Sequence, residues 1–158
     1  MPQLSIAADP EIAFEGQIAY PMFPRIVMTR YVSQANGVPF GSGVVRAGAD
    51  DLVKLPTTSA EVTNSFEGFA VRQEYLETPL SGYANGSTLP VLRRGFIWVL
   101  AEAAVTAEAP VFVRFAAGTF TVLGKVRGDA DGAGAVAIPN AKFITTLAGP
   151  GYAIVEVR

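Results

Sequence analysis

Charged side chains stand close enough to act together at only a few places in this sequence: Asp50-Asp51, Asp129 with Asp131, and Arg93-Arg94. Paired carboxylates can do general acid–base work, spaced carboxylates can hold a cation, and paired guanidinium forks grip planar anions. The chain has no His and no Cys. That excludes Ser-His-Asp and Cys-His nucleophiles, disulfides and the usual zinc sites, leaving carboxylates, Lys and Tyr for any proton transfer.

Each pair has a plainer reading beside the chemical one. Asp50-Asp51 lies in Gly48-Ala49-Asp50-Asp51 between two short apolar runs. Asp there favours a turn by bonding its own backbone, and a turn is preferred to an acid–base pair. If Asp129 opened a calcium loop, its fifth position would be Ala133 and its twelfth Asn140, so the third oxygen and the bidentate Glu are missing. A flexible hairpin loop is the expectation for Gly128 to Gly134. Neither that loop nor Gly41-Ser42-Gly43 opens a helix or is followed by Gly-Lys-Ser/Thr, so phosphate is not their ligand. Arg93-Arg94 suits a carboxylate or phosphate, and also suits a solvated strand entry; the second is preferred.

The elements that would position these groups are short. Ile26 to Val32, Val44 to Arg46, Leu52 to Leu55, Glu67 to Gln73, Leu89 to Leu92, Phe96 to Ala101, Val111 to Phe115, Phe120 to Leu123, Phe143 to Thr146 and Tyr152 to Val157 are β-rich. Turn signals separate them, including Asn36-Gly37 and Asn85-Gly86. Leu100 to Ala109 holds the only helix-favouring composition, but its valines and Pro110 predict strand, bend, strand. Short strands at intervals of about 8–12 residues predict an all-β fold, either a jelly-roll-like sandwich or a small β-barrel.

Residues 1–25 differ from the rest. They carry Pro2, Pro10, Pro21 and Pro24, no basic residue before Arg25, and the apolar side chains Phe14, Ile18, Tyr20, Met22 and Phe23. That is too apolar for a disordered tail. It predicts an extended N-terminal arm lying on its own domain or on a neighbour, with residues 26–158 as a single β domain.

Composition narrows the function classes. The 158 residues are 50% hydrophobic but only 16% charged, against about 25% charged in an average soluble domain. Some apolar surface is then expected to be covered by a partner or by further copies, as a homodimer or homotrimer. The net charge is −2 and the only basic cluster is Arg93-Arg94, which argues against nucleic acid. The run Phe96 to Ala101 is far short of the roughly 20 residues a membrane helix needs, and the N-terminus has no signal-peptide pattern. A cytoplasmic site of synthesis, no membrane and no cofactor are the expectations.

Three stretches carry a resemblance. They are Phe14-Glu15-Gly16-Gln17-Ile18-Ala19 followed by Tyr31-Val32 and Asn36-Gly37-Val38-Pro39-Phe40-Gly41; Phe66-Glu67-Gly68-Phe69-Ala70-Val71; and Leu89-Pro90-Val91-Leu92-Arg93-Arg94-Gly95-Phe96-Ile97-Trp98-Val99. In order and spacing, from about Phe14 to the C-terminus, they resemble the capsid cement (decoration) proteins of tailed bacteriophages. The resemblance implies a non-enzymatic virion protein on the outer surface of an icosahedral head, made in the host cytoplasm, binding the major capsid protein at contacts between its subunits. It implies no cofactor and an oligomer. Phe14, Ile18, Tyr20, Met22, Phe23, Arg93 and Arg94 are the candidate contact residues. The alternatives are a carbohydrate- or receptor-binding β module of a phage fibre, which needs an exposed cleft, and a glycosidase, which needs two facing carboxylates about 5–9.5 Å apart.

Overall fold

Among the described residues eleven strands arise where β-branched and aromatic residues cluster between turn signals. They are β1 (Ile26–Val32), β2 (Val38–Pro39), β3 (Gly43–Arg46), β4 (Leu52–Lys54), β5 (Phe66–Ala70), β6 (Gly82–Tyr83), β7 (Thr88–Ala101), β8 (Pro110–Arg114), β9 (Val126–Arg127), β10 (Ala135–Phe143) and β11 (Gly151–Val157). This computed structural model describes residues 13–73, 81–118 and 120–158. Strand accounts for 46% of it, so the all-β expectation holds.

The organising element is β7, 14 residues long. Nine strands pair in the order β1-β4-β3-β5-β7-β11-β10-β8-β9, with further pairings β1–β7 and β7–β9. Each added pairing closes a ring, so two five-stranded rings share β7. Its first half, Leu89 to Arg94, pairs with β1 and its second half, Gly95 to Ala101, with β11. Of the two architectures expected from sequence, the barrel is the one formed, and closure removes the sheet edges that would invite aggregation.

Two apolar cores follow. One gathers Val32, Phe40, Val44, Val53, Leu89 and Val91 in the first ring. The other gathers Phe69, Leu92, Ile97, Val99, Val113, Phe143 and Val155. Along β7 the inward positions alternate as a pleated strand requires, then switch at Leu92, so one strand feeds both cores.

Several expectations need correction. Leu89 to Leu92 and Phe96 to Ala101 are one strand, because Gly95 takes a φ of 128° and turns the chain without breaking the pairing. Phe120 to Leu123 is not a strand; it is part of a loop whose flanking Gly124 N–H donates to Arg114 O at 2.8 Å. The strand expected at Phe143 to Thr146 ends at Phe143 and begins at Ala135. It tolerates Pro139 because the register with β8 shifts there, where no ladder donor is needed. A helix, α1 (Ser59–Ser65), stands where none was expected. Thr58 accepts from Glu61 N and the Glu61 carboxylate reaches back to Thr58 N, a capping box that buries Val62 in the second core. Among the described residues no helix is long and apolar enough to cross a membrane.

Candidate functional site

The described part of the N-terminal arm runs antiparallel to β7 in two stretches. Gly16 N donates to Trp98 O at 2.8 Å, Trp98 N to Gln17 O at 2.8 Å, and Ala19 N to Phe96 O at 3.0 Å. Pairing resumes at Ile26, opposite Arg94, and continues along β1. Between them Tyr20-Pro21-Met22-Phe23-Pro24-Arg25 leaves the sheet. The cause lies in the sequence: Pro21 and Pro24 have no N–H to give to a ladder. Gly16 itself must be glycine, since it has a φ of 83° and a Cβ there would meet Arg72 N at 2.9 Å.

The excursion is outward and apolar. Met22 is 94% exposed and Phe23 54%, and Tyr20, Ile26, Val27 and Tyr31 continue the exposed apolar surface. It is also ordered by its own rings: Phe96 takes Tyr20 and Phe23 edge-on with centroids 5.1 and 5.3 Å away. Arg25 Nη1 closes the turn on Pro21 O. Phe14 stands apart, exposed under the Arg72 guanidinium at 4.7 Å. Ile18 points the other way, packed against the second core, and is an internal anchor of this chain. Arg93 and Arg94 are both exposed on β7. Arg93 lies 3.9 Å from Glu67, while among the described residues Arg94 has no ion-pair partner.

Two charge clusters within the rings were not foreseen. In the second ring Arg114, with a fully buried side chain, is gripped by Glu102 through Nε at 2.9 Å and Nη2 at 2.8 Å, and by Asp131 at 2.5 Å. Arg127 adds an ion pair to Asp131 at 2.9 Å and another to Asp129 at 2.7 Å. The Gly128 to Gly134 segment is therefore more than a hairpin loop: its 3-10 turn, Asp131–Ala133, is tied down by two arginines. Asp129 Oδ1 is taken by Arg127 and by the Asp131 N–H, and Asp131 Oδ2 by Arg114 and Arg127. The hydrogen bond from Arg127 holds the Asp129 carboxyl below its ordinary range.

In the first ring Glu67, its carboxylate 1% exposed, receives Arg30 Nε at 3.0 Å and Arg46 Nε at 2.9 Å. Burial alone would raise Glu67, but the hydrogen bonds from Arg46 and Arg30 outweigh it and hold the carboxyl below the usual value. Asp50 and Asp51 are exposed in the turn expected for them, each at the edge of this cluster. In both clusters the carboxylates are ion-paired with arginines.

The hydrogen-bonded partners of Glu67 and Arg114 lie 12 to 37 residues apart in the chain, whereas Arg127 pairs locally with Asp129 and Asp131. For Arg114 the local hint is alternation: it falls at the end of Val111-Phe112-Val113, where burial is already the rule.

The profile of a family described as structural cement protein (E217 gp24/Pam3 gp6) matches residues 2–158. The chain belongs to this family of phage cement proteins. It is a structural protein of the phage capsid, and its place is the virion. A solved chain from the capsid of Myoviridae phage XM1 superimposes with a TM-score of 0.77 at 18% identity, covering 98% of this chain and 95% of that one. The two share a fold. A second solved chain, from the head fibre gp8.5 N base of bacteriophage phi29, covers 85% of this cement protein and 95% of itself. Its TM-score is 0.43 at 8% identity, too distant to argue from. No curated protein matches the sequence.

Proposed function

We propose that this cement protein binds the outer surface of the phage head at contacts between major capsid subunits, and that the proline-bounded excursion at residues 20–25 is its principal grip. The observation that carries the reading is the exposure of Met22 and Phe23 beside Ile26 and Val27 on a chain with few charges. A monomer in water gains nothing from an ordered apolar prominence of this kind; a partner that covers it gains about 1.5–3 kcal/mol for each large side chain buried. The partners are major capsid subunits and further copies of this chain, as a homodimer or homotrimer, with no role for nucleic acid or membrane. Oligomers would bind by avidity, several weak contacts on one lattice adding up to retention. The protein has no catalytic step of its own: His and Cys are lacking, and the buried carboxylates are held by arginines.

The test is co-sedimentation with empty shells assembled from the major capsid protein of the same phage. Saturable binding at a fixed ratio to capsid subunits is expected, and shells carrying the protein should withstand heating better than bare ones. No binding to shells, with retention on host-surface glycans, would overturn the reading in favour of a fibre module.

A further inference from the structure

A groove of about 380 Å³ opens beside the excursion, lined by Phe23, Pro24, Arg94, Phe96, Val157 and Arg158 among others. Its floor is apolar. Phe96, Phe23 and Tyr20 are held edge to face with one another, so the seat is built before any partner arrives. Its rim is basic, although the whole chain has a net charge of −2. Glu156, the groove's acidic residue, is already engaged: Arg158 Nε lies 3.1 Å from it and Lys142 Nζ 3.6 Å. Arg25 packs against Gly95 at the same end, its guanidinium turned to Pro21 O. Arg94 is what remains. It is exposed and, among the described residues, has no hydrogen bond or ion pair, in a protein that pairs its three buried arginines, Arg30, Arg114 and Arg127.

Building on the capsid-binding reading, we infer that this groove takes an acidic side chain flanked by an apolar one on a major capsid subunit, with Arg94 holding the carboxylate and Phe23 and Phe96 seating the apolar group. The charge complementarity selects the occupant. A purely apolar segment would leave the guanidinium desolvated without an anion, which is unfavourable. A basic segment would be repelled. A carboxylate beside an apolar anchor satisfies both parts of the site, and the guanidinium fork gives it a fixed orientation. In the same geometry Arg94 sets the register in which the excursion meets the shell, so specificity and grip come from adjacent residues.

The experiment compares Arg94→Gln and Arg94→Glu with the wild type and with the double variant Met22→Asp/Phe23→Asp, by co-sedimentation with empty shells of the same phage at low and high salt. Each protein is checked for an unchanged melting transition. The expected order of retention is wild type, then Gln, then Glu, with Glu weakened at least about tenfold at low salt and the wild-type advantage shrinking as salt screens the pair. Equal losses for Gln and Glu, or no salt dependence, would overturn the inference. If Arg94→Glu binds like the wild type while Met22→Asp/Phe23→Asp does not, the groove reading fails and the capsid reading stands. If every variant binds like the wild type, the groove and the excursion both fail as grips and capsid binding stands; if the wild type itself does not bind shells, the capsid reading fails.

Discussion

The Arg114 cluster and the residue 20–25 excursion are opposites. One places charges where a fold usually places hydrocarbon, and the other places hydrocarbon where a fold usually places charge. Arg114 is fully buried but meets Glu102, Asp131 and the Ala116 carbonyl, so its charge and its donors are answered within the chain. Met22 is almost wholly exposed, and Phe23 is more than half exposed with its ring edge against Tyr20 and Phe96. A side chain whose needs are met internally serves the fold. One left unsatisfied on an ordered scaffold points to something outside it. The Glu67 cluster lies between these cases: its carboxylate is sealed, while Arg46 and Arg93 reach the surface, 45% and 42% exposed.

That ordering can be broken by substitution. Arg114→Ala takes from the buried Glu102 the guanidinium that holds both its oxygens, leaving Arg127 at 3.5 Å as its cation, and should cost about 3–5 kcal/mol. For a chain of this length that is a fall in melting temperature on the order of 10 °C, read by calorimetry or circular dichroism. Glu67→Gln should cost less, roughly 1.5–3 kcal/mol, because two of its three arginines can turn to water. If Glu67→Gln proves the more damaging, the contrast between a sealed and a half-open cluster is mistaken.

Acid gives a smaller and graded effect. Glu61 is lowered to about 2 because its hydrogen bonds with Lys54 and Thr57 outweigh the burial that would raise it. Glu67 is lowered too. For groups depressed in the fold, the stability they contribute is complete above the ordinary carboxylate value of 4.5 and drains away as pH falls through the folded value. The melting temperature should therefore decline between about pH 4.5 and pH 2, and less steeply in Glu67→Gln. A profile flat across that window would contradict the assignment.

How far the sequence foretold this depends on distance along the chain. Ile26 to Val32 was legible to the residue because alternation and a following Asn-Gly turn are local signals. Tyr152 to Val157 was legible for the same reason, the strand starting one residue earlier. The capping box of Thr58 and Glu61 is equally local and readable, but seven residues make too short a run for helical periodicity to register. The closure of two rings on β7 was not legible, because β1 and β7 are joined by register and not by any motif. The same holds for Glu67, whose arginines come from β1, β3 and β7. Of the candidate contact residues, exposure of Tyr20, Met22 and Phe23 follows from Pro21 and Pro24. The inward turn of Ile18 does not: it depends on Gly16 passing between Trp98 and Arg72, a contact 82 residues away on one side and 56 on the other.

The central claim is that the ring pair is scaffold and the excursion is grip, and one measurement separates them. Met22→Asp/Phe23→Asp should melt like the wild type, since neither side chain belongs to either core. Its affinity for empty shells should fall by roughly two to four orders of magnitude, the worth of two large apolar contacts. Wild-type binding by a normally folded double variant would contradict the account.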